Sequence, residues 1–209
     1  MKIVFALLFF VYLIMSAKAV VIDSISYISE TKSEGDFTIS NSDGSAPLLV
    51  SSTDFPGVKR AFKDLQEDIF KVTGKQPELK IDTLPFSSTV IIAGTLGKSV
   101  LIDSLVTKGA VDTSGLTGKW EKFLTQTVKD PLPGIDTALV IIGSDKRGTI
   151  YGIYDLSEQM GVSPWYFWAD VPIRTRDNIY VKPGIHTKGE PAVKYRGIFI
   201  NDENPALSG

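Results

Sequence analysis

Residues 137–142 constrain the fold of this chain more than any other segment. Within them, the run Ala-Leu-Val-Ile-Ile at residues 138–142 is apolar at every position. A strand with one solvated face alternates apolar and polar side chains, so an unbroken apolar run belongs to a sheet covered on both faces. Residues 89–93 form a shorter β-branched run that ends at Gly94, which predicts a second buried strand. The sequence therefore predicts a sheet with other structure packed against both of its sides.

The clearest helical pattern lies between Asp54 and Gly74. Its apolar residues recur at spacings of four, three, four and three, with charged residues on the opposite face, as in an amphipathic helix. The predicted buried stripe consists of Val58, Phe62, Leu65, Ile69 and Val72. We predict that Asp54 caps this helix, that Pro56 lies in its first turn and that Gly74 ends it.

Two more helices and a hairpin are predicted. Residues 99–106 form one helix, and residues 149–160 form another that ends at Gly161. The predicted buried side of this last helix consists of Ile150, Ile153, Tyr154, Leu156 and Met160. Residues 37–39 and 48–50 flank the turn sequence Asn-Ser-Asp-Gly, which predicts a hairpin.

The order of these elements predicts the architecture. Strands alternate with helices, which indicates an α/β fold, a sandwich around a mixed sheet, over residues 20–172. Residues 173–191 are rich in Pro and Gly and are predicted to be a linker. Residues 194–200 are predicted to form one more strand, which would open a second domain at residues 192–209.

The N-terminus has the pattern of a secretory signal. Lys2 supplies a positive charge, residues 3–15 are apolar without a charge, and Ala17 and Ala19 are the small residues before a cleavage site. Thirteen apolar residues fall short of the roughly 20 that span a bilayer, which argues against a membrane anchor. We predict a signal peptide at residues 1–19 and a mature protein that is secreted, extracellular and not membrane-bound.

Composition excludes several functions. The chain has no cysteine, which excludes disulfides, thiol catalysis and thiolate metal sites. His186 is the single histidine, so a multi-histidine zinc site is excluded too. The 22 basic and 24 acidic residues are mixed along the chain, without the basic patch that nucleic-acid binding needs. We expect no metal ion, no cofactor and no nucleic acid, and we expect His186 to be solvated in a polar loop.

Residues 94–99, Gly-Thr-Leu-Gly-Lys-Ser, follow a predicted strand and precede a predicted helix, as a phosphate-binding loop does. That loop needs a glycine five residues before the glycine of Gly-Lys-Ser, and Ile92 occupies that position. Without that glycine the backbone N–H groups cannot close around a phosphate. A tight turn is therefore the favoured interpretation.

Four consecutive aromatic residues lie within the segment Ser-Pro-Trp-Tyr-Phe-Trp-Ala-Asp at residues 163–170. Such rings stack on the C–H faces of sugars, which would make a carbohydrate platform. They also fill interfaces between domains, where the Trp N–H and Tyr O–H bind backbone groups. Four adjacent rings cannot all face one ligand, so we favour the interface.

The sequence Asn201-Asp202-Glu203 follows directly on the apolar residues 198–200. An apolar strand running into adjacent polar side chains resembles the C-terminal end of a barrel strand, where barrel enzymes carry their chemistry. Asp and Asn also cap helices and form turns. The residues by themselves leave both interpretations open.

Several long blocks of this chain together resemble glycoside hydrolase family 115. They are residues 146–158 (Lys-Arg-Gly-Thr-Ile-Tyr-Gly-Ile-Tyr-Asp-Leu-Ser-Glu), 161–166, 168–172, 189–191 and 194–203. The blocks are ordered and correctly spaced over about residues 130–209. A shorter part, Arg-Gly-Thr-Ile-Tyr-Gly-Ile-Tyr, also resembles the accessory domains of other polysaccharide hydrolases.

The resemblance implies an enzyme that removes 4-O-methylglucuronic acid linked α-1,2 to xylan. Such enzymes begin with an α/β domain, continue with a (β/α)₈ barrel and invert the anomeric centre. By motif, the resemblance gives Asp202 a catalytic role and makes Asn201 and Glu158 substrate-binding residues. The expected partners are glucuronoxylan and its oligosaccharides, and a homodimer of the longer parent is also considered.

The second catalytic carboxyl and the arginine expected for the uronate carboxylate are absent up to Gly209. We therefore expect this chain to be the N-terminal portion of the enzyme, with a truncated barrel and no activity of its own. The alternative is a short secreted carbohydrate-binding or interaction protein.

Overall fold

The computed structural model describes residues 26–197. The predicted signal peptide at residues 1–19 lies outside the described residues, as do Asn201, Asp202 and residues 198–200. The strands are β1 (Ile28–Ser29), β2 (Phe37–Asn41), β3 (Gly44–Ser45), β4 (Leu48–Val50), β5 (Leu79–Ile81), β6 (Thr89–Thr95), β7 (Phe123–Leu132), β8 (Ile135–Gly143), β9 (Ile179–Val181) and β10 (Ile185–Lys188). The helices are α1 (Pro56–Thr73), α2 (Val100–Thr107), α3 (Lys146–Met160) and α4 (Tyr166–Ala169).

The larger sheet has six strands in the order β10-β7-β8-β6-β4-β5. Strands β5, β4, β6 and β8 are parallel to one another, whereas β7 is antiparallel to both of its neighbours, β8 and β10. The two apolar runs that predicted a covered sheet are the central strands β6 and β8, paired in register with Ile91 opposite Leu139. The mixed α/β architecture is thus confirmed for the described residues.

Both faces of this sheet are buried, as the sequence predicts. Leu139 and Ile141 point into one hydrophobic core together with α1 and α3. The alternate residues Ala138, Val140 and Ile142 point into a second core on the α2 side. Because successive strand residues point to opposite faces, every position of the run needs an apolar side chain.

Helix α1 presents the predicted stripe to the first core. Its five stripe residues are at most 1% exposed, and fully burying each such side chain contributes about 1.5–3 kcal/mol. The helix ends at Gly74, whose φ of 71° lies in the left-handed region. A residue with a Cβ atom would be strained at this φ, which explains why a glycine ends the helix.

The predicted cap at Asp54 is wrong. Phe55 is the N-cap residue, and no side chain caps the helix. Asp54 is instead 3% exposed, and its carboxylate accepts hydrogen bonds from the Thr95 backbone N–H (2.7 Å) and hydroxyl (2.9 Å). The Thr95 hydroxyl also bonds that of Thr149 at 2.8 Å. The buried Asp54 carboxylate is therefore hydrogen-bonded to the end of β6, which contacts the start of α3 through Thr149, and it does not cap α1.

The segment predicted as a linker, residues 173–191, is part of the fold. It contributes β9 to a small antiparallel sheet of order β1-β9-β2-β3, and it contributes β10 to the edge of the larger sheet. Ile179 and Val181 are fully buried. The prediction of a linker is therefore wrong for Ile179–Val181 and Ile185–Lys188, which are strands. The Pro and Gly residues flank two strands too short to give a periodic signal.

The predicted hairpin is only half correct. Strand β2 turns back into β3, as the turn sequence indicates. Leu48–Val50, the predicted partner, instead lies in the other sheet between β5 and β6. The predicted strand at 194–200 has no strand structure over residues 194–197, and its remainder lies outside the described residues.

Candidate functional site

An open cleft of about 360 Å³ lies along the exposed side of α3. Tyr151, Tyr154, Asp155 and Glu158 follow one another at i, i+3, i+4 and i+7, a spacing that puts side chains on one helix face. The cleft is lined by Glu121, Phe123, Tyr151, Tyr154, Asp155, Glu158, Pro164, Lys188, Gly189 and Pro191. Helix α3 thus forms one wall, and β7 and the segment after β10 complete the cleft.

Tyr154 belongs to this cleft and not to the core, so its predicted burial is wrong. Its side chain is 43% exposed, and its hydroxyl donates a 2.6 Å hydrogen bond to Asp64 on α1. Burial, the hydrogen bond to Asp64 and the charge of Asp64 raise the pKa of Tyr154 above its usual value. The ring is therefore held as a neutral phenol at the cleft.

Two glycines allow α3 to lie close enough to form this wall. A Cβ at Gly152 would stand 2.8 Å from the Ile141 side chain and 3.0 Å from the ring of Phe123. A Cβ at Gly148 would stand 2.3 Å from the carbonyl oxygen of Lys122. The glycines of the Arg-Gly-Thr-Ile-Tyr-Gly block are therefore packing positions beneath the cleft.

A chain of polar contacts runs from the interior to the cleft. The Tyr27 hydroxyl donates to Oδ2 of Asp155 at 2.9 Å, and the Asp155 side chain is only 5% exposed. The Lys188 ammonium lies 2.6 Å from the other Asp155 oxygen and 3.4 Å from Oε2 of Glu158. Two carboxylates on α3 thus share one cation on the edge strand β10.

The protonation of this group follows from its surroundings. Burial disfavours the charged form of Lys188, but the hydrogen bond and charge of Asp155 and the charge of Glu158 outweigh it and raise the Lys188 pKa. Burial, followed by the charge of Asp155 and the hydrogen bond to it, raises the pKa of Tyr27 well above its usual value. Lys188 therefore stays cationic and Tyr27 stays neutral near neutral pH.

We expect Tyr27 to make the fold sensitive to alkali. Its folded pKa is raised, so its contribution to stability is complete below the unfolded value of about 10 and is lost as pH rises through the folded value. Above about pH 10, the free energy of unfolding should fall by up to about 1.4 kcal/mol per pH unit from this group. Urea unfolding between pH 8 and 11 should show a shallower fall in Tyr27→Phe.

The matched control for that measurement is Tyr195→Phe, because Tyr195 is 86% exposed. It should keep the slope of the unmodified chain. Equal slopes for the unmodified chain and Tyr27→Phe would contradict the assigned role of the Tyr27 hydroxyl.

Glu121 holds the other end of the cleft. It is 7% exposed and has a φ of 51°, a strained conformation for a residue with a Cβ. Its carboxylate accepts from Arg147 at 2.9 Å and from Arg196. Burial opposes its charge, but these hydrogen bonds outweigh burial and hold the pKa of Glu121 below its usual range. Arg196 also donates to the Tyr151 hydroxyl at 3.1 Å.

Of the three predicted site residues, the structure describes one. Glu158 lines the cleft with its side chain 47% exposed. Asn201 and Asp202 lie outside the described residues, so their roles remain predictions. In the sequence, Asn201 and Asp202 come five and six residues after Arg196, which reaches the cleft rim.

Sequence reasoning missed Tyr27, Asp155, Lys188 and Glu121. Asp155 carried a usable signal, because it stands three residues before Glu158 on the same predicted helix. Lys188 and Tyr27 carried none, since they come from β10 and from just before β1, far apart in the chain. Only the strand pairing brings these residues to α3.

Three other sequence features have structural outcomes. His186 is not in a polar loop but on β10, where its ring stacks on Tyr27 with centroids 4.2 Å apart, so that prediction is wrong. Residues 96–98, directly after β6, form a turn in which Gly97 is left-handed (φ 71°), and Ser99 caps α2, as the turn interpretation predicts. Trp165 and Trp168 are exposed by 65% and 78%.

Residues 26–197 contain no cluster of three or more His, Cys, Asp or Glu side chains arranged to hold a metal ion. Within the same range, no helix combines the length and apolar character needed to cross a bilayer.

Comparisons with known proteins show which proteins this chain resembles. One solved structure aligns over 81% of this chain with a TM-score of 0.64 and 33% sequence identity. It is described as a novel family GH115 4-O-methyl-α-glucuronidase, BtGH115A, with specificity for decorated arabinogalactans. The aligned region is 20% of that enzyme, so this chain spans about a fifth of its length.

The described fold is therefore similar to part of a glycoside hydrolase. More particularly, the chain is a glycoside hydrolase family 115-like protein, and the resemblance predicted from its sequence is confirmed.

The structure of CpGH84D aligns with 75% of this chain and 22% of its own, at 12% identity and a TM-score of 0.42. No family model matches the chain, and no curated protein matches it either.

Proposed function

We propose that this chain is the N-terminal part of an exported α-glucuronidase that removes α-1,2-linked 4-O-methylglucuronic acid from xylan. The observation that carries the proposal is the cleft along α3, formed by the 146–158 block in a chain 33% identical to a family 115 glucuronidase. The family resemblance assigns Glu158 to substrate binding, and Glu158 lines that cleft.

The lining of the cleft suits a sugar. A volume of about 360 Å³ lies at the lower end of the range for small-molecule pockets. Tyr151 and Tyr154 offer flat rings with polar edges, which pack against sugar C–H faces. Glu158 offers an ionised acceptor for sugar hydroxyls, and hydrogen bonds to charged groups are the stronger ones.

Catalysis is proposed to need more than this cleft. An inverting glycosidase requires an acid and a base carboxyl about 6.5–9.5 Å apart, so that a water molecule fits between substrate and base. Asp202 is proposed as one of them and Asn201 as a substrate contact. The second carboxyl is proposed to belong to a longer parent protein, so that the 209-residue chain alone is inactive.

The test is uronic acid release by the 209-residue chain and by the protein encoded by the uninterrupted downstream reading frame. Glucuronoxylan and a decorated arabinogalactan are supplied as parallel substrates. We expect release from glucuronoxylan by the longer protein alone. Release from arabinogalactan alone would keep the glucuronidase proposal and overturn xylan as its substrate. Release from neither substrate would overturn the proposal that the longer protein is an α-glucuronidase.

The role of Glu158 is tested by Glu158→Gln in the longer protein. Losing a charged hydrogen-bond acceptor for a sugar hydroxyl should lower kcat/KM about tenfold or more. Asp202→Asn should lower it by at least about a hundredfold, as expected on loss of a general acid or base. Glu67→Gln, on the exposed side of α1, is the matched control. Normal kinetics in Glu158→Gln would remove Glu158 from the site.

A second candidate is a secreted carbohydrate-binding protein without catalysis, favoured by the exposed Trp165 beside the cleft residue Pro164. Tight xylan binding by the 209-residue chain, lost in Trp165→Ala, would support it.

Export is tested on secreted protein by N-terminal sequencing, with cleavage expected after Ala19.

A further inference from the structure

The cation between the two α3 carboxylates distinguishes this cleft from an ordinary surface ion pair. An exposed Lys–Glu pair contributes little because two long side chains must be ordered for one contact in water. Lys188 differs because its ammonium lies 2.6 Å from a carboxylate that is only 5% exposed. The contact with Asp155 thus already orders the Lys188 side chain. Glu158 therefore contacts an ammonium group that is held in place.

The anchor beneath Lys188 is itself fixed. Tyr27 donates its hydroxyl to the second oxygen of Asp155, so both carboxylate oxygens face a partner. The Tyr27 ring stacks on His186 with an interplanar angle of 17°, and His186 stands two residues before Lys188 on β10. Strand β10 therefore carries Lys188 and also His186, whose ring packs against the Tyr27 that hydrogen-bonds Asp155.

We propose that Lys188, anchored by the buried Asp155 and Tyr27, is a positioning residue that fixes the Glu158 carboxylate in the cleft. The proposal deepens the proposed function and rests on it for the purpose of that carboxylate, which is to accept hydrogen bonds from sugar hydroxyls. The carboxylates of Asp155 and Glu158 surround the single cation of Lys188, so the local charge is negative. This part of the cleft therefore suits neutral hydroxyl donors better than a uronate carboxylate.

The charge of Lys188 supports the arrangement. The same neighbours that hold the ammonium raise the Lys188 pKa, so Lys188 is a cation at neutral pH. The Lys188 side chain is 57% exposed, which allows substitution without opening a core.

The first experiment needs no ligand. Three-bond couplings of the Glu158 side chain are measured by NMR on isotopically labelled 209-residue protein, unmodified and as Lys188→Met and Lys188→Arg. Lys188→Met should shift the couplings to averaged values, while Lys188→Arg should retain those of a fixed rotamer. Lys63→Met, on the exposed side of α1, is the control. Unchanged Glu158 couplings in Lys188→Met would overturn the inference.

The second experiment adds methyl α-D-glucuronide and, as a neutral counterpart, methyl α-D-glucoside, with binding followed at the Tyr151 and Tyr154 signals. Glu158→Gln should weaken binding about tenfold, as loss of a charged hydrogen-bond acceptor predicts, and Lys188→Met about fivefold, as loss of one partly exposed charged contact predicts. If Lys188 acts through Glu158, the double variant should bind no more weakly than Glu158→Gln. Additive losses would overturn the positioning role.

The two experiments separate the two proposals. If neither sugar binds the unmodified chain, the proposed function of the cleft in this chain fails, and the couplings still decide whether Lys188 fixes Glu158. If sugars bind and the couplings stay fixed in Lys188→Met, the proposed function stands and the inference falls. Equal melting temperatures for all variants exclude a general loss of structure.

Discussion

Replacing Gly148 by alanine is expected to lower the free energy of unfolding by about 3 kcal/mol, the upper end of the usual range for overpacking. The new Cβ would stand 2.3 Å from the Lys122 carbonyl oxygen and 3.0 Å from its carbon. That carbonyl cannot yield easily, because it already accepts a 2.8 Å hydrogen bond from the Ser144 N–H. Helix α3 must therefore move away from the segment that carries Glu121.

Urea unfolding of the 209-residue chain measures this change. Gly115→Ala is the matched control, since a Cβ there meets only the tip of the Lys122 side chain at 3.9 Å. The control should stay within about 0.5 kcal/mol of the unmodified chain. A Gly148→Ala variant as stable as Gly115→Ala would show that α3 does not lie as close to the sheet as described.

Replacing Phe62 by alanine is expected to cost about 3–5 kcal/mol of stability. Phe62 is fully buried in the core between α1 and the larger sheet, so the change removes a large apolar surface and leaves a cavity. Domains of this kind are stable by only about 5–15 kcal/mol. The variant should therefore unfold at a much lower urea concentration.

The same helix offers the control for this prediction. Phe70 is 48% exposed, so Phe70→Ala removes the same ring from a position where water already reaches it. Circular dichroism should show a midpoint for Phe70→Ala close to that of the unmodified chain. Similar losses in the two variants would contradict the assigned direction of the α1 apolar face.

How far the sequence alone predicts this fold depends on the length of each pattern. The 18 residues of α1 carry five apolar stripe residues at four regular spacings, and β8 shows an unbroken apolar run, so the pattern predicts both elements with the correct burial. Strands β9 and β10 have three and four residues, too few to display a period among the surrounding Pro and Gly. The composition therefore predicts a linker where the structure has two strands.

Asp54 and Tyr154 show why local rules failed at particular side chains. Asp54 stands where an N-cap is expected, yet a buried donor pair on Thr95 competes for its carboxylate. Tyr154 fits the helical period, yet Asp64 on the neighbouring helix holds its hydroxyl at the surface. In both cases a partner distant in sequence decided the outcome.

The sequence by itself determined the layered α/β fold, the apolar faces of α1 and β8, the family resemblance and the place of Glu158 on α3. These follow from periodicity and motif order, which are local properties of the chain. The tertiary structure alone decided that Tyr27, Lys188 and Glu121 meet that helix. Their contacts join residues up to 128 positions apart, and only strand pairing and close helix packing bring such residues together.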